Sequence, residues 1–127
     1  MKISMRAAVA VSALLGGLAW AGEKHYYPVM VALDGRYFNA TMSMARNSDR
    51  PLESFHCFTE TTATEVYGAC SARDAAGVAA ICYTYNQNLL AAIRSITDSS
   101  LVQVQWDASG MCTYIQVRYS SAYEPKK

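Results

Sequence analysis

The sequence predicts a mainly β chain. It reads as a small antiparallel barrel or strongly curved meander sheet, with one short helix before the final hairpin. Three observations lead there. Apolar and polar residues alternate through most of residues 26–119, the period of half-buried strands. Turn chemistry punctuates that alternation at Asp34-Gly35, Asp74-Ala75-Ala76-Gly77 and Asp107-Ala108-Ser109-Gly110. Only residues 87–96 switch to the helical period. An OB-like barrel also carries a helix late in its strand order and serves as an analogy only.

Before the strands stands an address. Residues 1–6 carry Lys2 and Arg6 and no acid, and an apolar run then ends in Ala19-Trp20-Ala21. This is the layout of a cleaved signal peptide over residues 1–21. The apolar run reaches only about 15 residues, short of the roughly 20 a membrane span needs. No later stretch is long or apolar enough to insert stably after cleavage. A single domain over residues 22–127 is expected, exported to the periplasm or the outside. Its charge stays near neutral, since the whole chain carries only +1. That excludes a nucleic-acid binder working through phosphate neutralisation.

The first strand is expected over residues 26–33, with Val29, Val31 and Leu33 on one face. Asp34-Gly35 suits a two-residue hairpin turn that places Val31 opposite Phe38 and Val29 opposite Ala40. The return strand then runs over 36–45, with Phe38, Ala40, Met42 and Met44 sharing a face. A polar loop from Arg46 to Pro51 follows. Strands over 53–61 and 66–73 flank the short loop 62–65. The Asp74–Gly77 quartet, a type I turn closed by a left-handed glycine, leads into a strand over 78–85. Asn86 caps the helix of 87–96, whose Leu89, Leu90, Ile93 and Ile96 form one stripe. A helix of that length needs a sheet to pack on. The last hairpin joins 101–106 to 111–119 through Asp107–Gly110.

Four cysteines, Cys57, Cys70, Cys82 and Cys112, lie in the exported part, where two disulfides are the expected outcome. Pairing Asp74 with Val78 sets Cys70 opposite Cys82, and a symmetric 62–65 loop sets Cys57 opposite Cys70. Strands about 4.8 Å apart would then separate Cys57 from Cys82 by roughly 9–10 Å, beyond the ~7 Å a disulfide tolerates. The pairing 57–82 with 70–112 is therefore the least favoured. The pairing 57–70 with 82–112 is slightly preferred over 70–82 with 57–112. Cys112 falls opposite Trp106 by the same turn logic, but that register would set Ile115 and Val117 on the face of Gln103 and Gln105. No Cys-x-x-Cys occurs and only His25 and His56 are present, which argues against metal.

Several strings resemble an uncharacterised family of small exported four-cysteine bacterial proteins. They are Ala45-Arg46-Asn47-Ser48, Cys57, Cys70 through Gly77, Cys82-Tyr83, Trp106-Asp107-Ala108-Ser109-Gly110-Met111-Cys112-Thr113 and Ser120 through Lys126. The Trp-Asp-x-x-Gly-x-Cys-Thr motif is the most specific of them. The resemblance spans about residues 40–126 and implies export and disulfides; it implies no activity.

Chemistry is sparse. His56 reads as a polar strand residue and His25 as a solvated terminal one. No Gly-x-Ser-x-Gly elbow or phosphate-cradling glycine run occurs, so neither enzyme activity nor a cofactor is expected. Asp74 and Asp107 are turn residues, and Glu53, Glu60 and Glu65 border one hairpin. Asn39-Ala40-Thr41 matches a glycosylation acceptor but sits inside a strand. Tyrosine is the suggestive feature, with nine in the chain. Tyr83, Tyr85 and Tyr114 are the candidate ligand-binding strip, suited to a protein or polysaccharide partner. Arg36, Arg73 and Arg118 frame such a surface only from scattered positions. The expected function is non-catalytic binding or a structural role in the envelope. The alternative is an inhibitor or immunity-type protein aimed at a secreted hydrolase, with residues 47–52 as the inserted loop.

Overall fold

The fold, taken from a computed structural model, is described over residues 22–123. The cleaved-signal expectation for residues 1–21 lies outside the described residues. In chain order the elements are β1 (Met30–Ala32), β2 (Tyr37–Thr41), helix α1 (Met42–Arg46), β3 (Ser54–Thr61), β4 (Val66–Arg73), β5 (Ala79–Thr84), helix α2 (Gln87–Arg94), β6 (Leu101–Trp106) and β7 (Cys112–Arg118). Among the described residues, no helix is long and apolar enough to cross a membrane.

The chain is mainly β, but it forms two antiparallel sheets and not a closed barrel. One has the order β1-β2-β6-β7 and the other β3-β4-β5. The division begins at Thr41, where the expected 36–45 strand stops. Ser43, Met44 and Ala45 are all buried in a short helical turn. Met and Ala are good helix formers, and Asn47 N–H closes the turn on the Ser43 carbonyl at 3.0 Å. Helix α1 carries the chain away before β2 can meet β3. β6 takes the place beside β2 instead, pairing Phe38 with Val104 and Ala40 with Val102.

The first strand is also shorter than its alternation suggests. Val31 does face Phe38. Upstream, however, the backbone bonds elsewhere: His25 N–H to the Ala122 carbonyl, Tyr27 N–H to Met44 Sδ and Val29 N–H to Glu53 Oε1. The turn differs too. Arg36 N–H donates to the Leu33 carbonyl, and Arg36, not Asp34 or Gly35, has positive φ, at 51°. The four-residue loop leaves the strand register unchanged.

The inner faces of the two sheets make one core. Phe38, Val102 and Val104 of the larger sheet join Phe55, Cys70, Ala72 and Cys82 of the smaller one. Phe38 stands edge-on to Phe55 with ring centres 6.1 Å apart, and 5.5 Å from Trp106. Cys57, Cys70 and Cys82 form one row across β3, β4 and β5. Cys57 is joined to Cys70 within that row, and Cys82 reaches Cys112 on the other sheet. Beside the second bridge, Tyr83 N–H donates to the Gly110 carbonyl at 3.1 Å. The sheets are therefore stitched along one flank by a covalent bond and a hydrogen bond.

The register conflict in the last hairpin is resolved by a bulge. Trp106 does pair with Cys112, but Gln105 pairs with Tyr114, leaving Thr113 as the extra residue. The slip turns Ile115 towards Val104 and Val117 towards Val102. Both flanking turns are built by their aspartates. Asp74 Oδ1 accepts from the N–H groups of Ala76 and Val78, and Asp107 Oδ1 from those of Ser109 and Met111. The Ser109 hydroxyl, then the Met111 N–H, hold the Asp107 carboxyl below its ordinary pKa. Gly77 and Gly110 supply the left-handed residue, with φ of 90° and 84°.

Helix α2 starts at Asn86, whose side chain accepts from the N–H groups of Asn88 and Leu89. It ends at Arg94, two residues before the expected end. Ser95 and Ile96 then bond three residues back to Ala92 and Ile93, the tightened last turn common at helix ends. Leu90 is fully buried and Ile93 nearly so, burial worth roughly 1.5–3 kcal/mol for a side chain of this size. Gly68 on β4 makes the fit possible. A Cβ there would stand 2.8 Å from Ile93 Cδ1 and 2.9 Å from Leu90 Cδ2.

Candidate functional site

With one face of β3-β4-β5 turned to the core, the register dictates what the outer face carries. Four rows cross it. The first pairs Glu60 with Tyr67. The second is Phe58–Ala69–Tyr83, the third His56–Ser71–Ile81 and the fourth Ser54–Arg73–Ala79. Tyr85 lies just past the end of β5 and its ring is 6.1 Å from that of Tyr67. One half of the face is thus aromatic and the other polar.

In the aromatic half, Tyr67 is the hub. Its ring meets Phe58 edge-on at 6.2 Å and an interplanar angle of 79°, and meets Tyr85 at 44°. The Tyr67 hydroxyl donates to the Glu60 carboxylate. That bond, followed by desolvation and the nearby negative charge, raises the Tyr67 pKa above its ordinary value. The bond ties the Tyr67 ring to the edge strand through Glu60. Ala69, fully buried, sits between Phe58 and Tyr83 in its row, while Phe58, Tyr83 and Tyr85 are exposed. Large rings flanking a small residue give the surface relief as well as apolar area.

In the polar half, the Ser71 hydroxyl lies 3.0 Å from His56 Nε2 and 3.2 Å from Nδ1. The pair borders an open hollow of about 350 Å³. A serine and a histidine are two parts of a nucleophilic triad, which also needs an acid to orient the base. The nearest acids along the strands are engaged with other groups. Glu53, buried, accepts from Val29 N–H at 2.8 Å and from the Ser48 hydroxyl at 2.7 Å. Asp74 holds its own turn. The described residues contain no group of three His, Cys, Asp or Glu side chains placed to hold a metal. His25 pairs with Glu23 near the start of the described chain.

The three tyrosines singled out from the sequence are divided between the sheets. Tyr83 and Tyr85 are on the aromatic half, at 43% and 58% exposure. Tyr114, at 40%, belongs to the larger sheet, in a row with Gln105 and Tyr37. Among the described residues no ring contact joins it to the other two. Phe58 and Tyr67 complete the cluster instead. The cysteine register carries the signal for Phe58, because one step along each strand from Cys57, Cys70 and Cys82 lie Phe58, Ala69 and Tyr83; Tyr67 lies two residues further along β4 on the same face. Of the three arginines, only Arg73 is on this face. Arg36 occupies the first turn and Arg118 pairs with Leu101 at the end of β7.

Residues 47–52 make a largely exposed loop beside the polar half. Ser48 Oγ accepts from Arg50 N–H while donating to Glu53, and Glu53 N–H closes on the Arg50 carbonyl. Leu52 Cδ1 lies 3.3 Å from where a Gly77 side chain would begin. The loop is thus tied at its centre and at its end. No protein-family model, curated protein or solved structure matches this chain.

Proposed function

We propose that this is an exported, non-catalytic binding protein that docks a partner protein on the outer face of β3-β4-β5. The contiguous cluster of Phe58, Tyr67, Tyr83 and Tyr85 is the observation that carries the reading. Exposed rings of this kind are favoured as interface anchors, since they bury much area with few rotatable bonds. Their tilt supports a protein over a polysaccharide. A sugar chain lies flat on coplanar rings, whereas rings at 44° and 79° to one another leave wedges that side chains fill. Export is supported by the apolar leader ending in Ala19-Trp20-Ala21 and by four cysteines joined in two disulfides, the state of an oxidising compartment. The non-catalytic reading is supported by the engagement of Glu53 and Asp74, the acids closest in sequence to His56 and Ser71, with other groups.

The test is capture of a partner from the native extracellular or periplasmic fraction, with variants of known fold. Tyr83→Ala should weaken capture of a given partner about 30-fold, the scale of a hot-spot residue, while Tyr114→Ala on the other sheet leaves it intact. Equal binding by both variants, or saturable binding of soluble glycans to the aromatic rows, refutes the proposal. The pinned 47–52 loop favours one second reading, an inhibitor of a secreted hydrolase, because an ordered loop loses little entropy on insertion. A shortened loop would abolish such inhibition and spare capture through Tyr83.

A further inference from the structure

The polar half of the face has a chemistry of its own. Ser54, His56, Ser71 and Arg73 line the hollow, with Ala79 and Ile81 opposite them. Among the described residues, Arg73 is the only fixed charge in that lining and forms no ion pair. The acids adjoining Arg73 and its cross-strand partner Ser54 are engaged elsewhere. Asp74 is turned into its hairpin and Glu53 into the buried contact with Val29 and Ser48. A cation and three hydrogen-bonding side chains therefore border an opening to which no acid contributes among the described residues.

We propose that this hollow is a carboxylate-binding subsite, taking a chain-terminal or side-chain carboxylate of the partner while the aromatic rows take its apolar residues. The inference rests on the docking reading for its occupant. The planar guanidinium of Arg73 presents two parallel N–H groups to the two carboxylate oxygens. The Ser54 and Ser71 hydroxyls supply donors for the remaining lone pairs, and the His56 ring orients Ser71 across the row. One fixed positive charge matches a monoanion; a phosphate dianion would bring a second charge with no counterpart. The small side chains at 54, 71 and 79 create the space, whose volume is at the lower end for ligand sites. Ile81, 43% exposed, offers an apolar wall to the carbon atoms next to the carboxylate and leads directly to Tyr83.

The test uses the ¹⁵N-labelled protein and small probes. N-acetylphenylalanine presents a terminal carboxylate, and N-acetyl-aspartyl-phenylalaninamide a side-chain one. N-acetylphenylalaninamide has none, and inorganic phosphate serves as the rival anion. Saturable amide shifts confined to residues 54–58, 71–73 and 79–83 are expected with either or both carboxylates. The probe that saturates first identifies the source. Arg73→Gln should weaken that binding about fivefold and leave the remaining spectrum in place. Equal binding of the uncharged amide, tighter binding of phosphate, no saturable shift, or indifference to Arg73→Gln each overturns the subsite. Partner capture separates the two readings. Capture that needs Tyr83 but tolerates Arg73→Gln removes the subsite and keeps the docking face. Capture indifferent to Tyr83 removes the docking face, and the probe titration still decides the hollow.

Discussion

Gly68→Ala tests how the outer face is held in place. A methyl at Gly68 would press on Ile93 Cδ1 at 2.8 Å, Leu90 Cδ2 at 2.9 Å and the Phe58 carbonyl oxygen at 3.2 Å. Comfortable carbon contacts begin near 3.5 Å, so both side chains must retreat by about 0.6–0.7 Å. Neither has free space to enter, since Leu90 is fully buried and Ile93 nearly so. Overpacking of this kind costs about 1–3 kcal/mol, and the stiffer unfolded chain returns about 0.4–1 kcal/mol. A net loss of about 1–2 kcal/mol remains, which lowers Tm by roughly 5–10 °C in a domain this small. Urea and thermal unfolding followed by circular dichroism measure it directly. Ile93→Val removes the methyl nearest the clash. Alone it should cost about 0.5–1.5 kcal/mol; in the Gly68→Ala background it should cost measurably less, a coupling of about 0.5–1 kcal/mol. A Gly68→Ala protein as stable as wild type, or strict additivity of the two changes, refutes this account of how α2 seats on β4.

Two further outcomes follow from the turns and the bridges. Arg36 occupies at φ 51° the left-handed position that glycine takes at 77 and 110, so Arg36→Gly should raise stability by about 0.5–1 kcal/mol. Gly77→Ala should lose a comparable amount, and unfolding midpoints that move together in one direction would contradict the assignment. Opening Cys82–Cys112, which closes 30 residues, returns loop entropy to the unfolded chain and costs about 3.5 kcal/mol of stability, and opening Cys57–Cys70, which closes 13, costs about 3 kcal/mol. Reduction should therefore lower the urea midpoint substantially, and a midpoint unchanged by a reductant that exposes all four thiols would show the bridges to be idle.

Alternation located most strands but was silent on which of them are neighbours. β4 and β6 have the bounds their period predicts because each is flanked by a turn whose chemistry is local. Met42-Ser43-Met44-Ala45 alternates equally well, yet it is helical; four residues are too few to tell a period of two from one of 3.6 when both outcomes bury the methionines. That one misassignment conceals the split into two sheets, since a strand continuing to Ala45 would approach Pro51 and point to β3 as its partner. The Thr113 bulge was signalled in the sequence itself. The turn demanded that Cys112 oppose Trp106, while the apolar pattern demanded that Ile115 oppose Val104. Both demands are met once a single residue is left out of the ladder, which is the use of a bulge.

The site was hidden for a related reason. A sheet face is assembled from residues that share a row, and rows depend on register, so a residue type alone does not place a side chain on a surface. Tyr83, Tyr85 and Tyr114 are alike in type and exposure, but Tyr114 faces out of the other sheet. Phe58 and Ala69 attract no notice singly, and Arg73 is one of three scattered arginines. They share one face because the covalent row Cys57–Cys70, extended to Cys82, fixes the inner side of β3-β4-β5 and thereby commits every alternate residue to the outside. The Cys57–Cys70 disulfide holds the composition of the outer face through that commitment. A slip of one residue between β3 and β4 would turn Phe58 and His56 inward, and the bond between Cys57 and Cys70 forbids it.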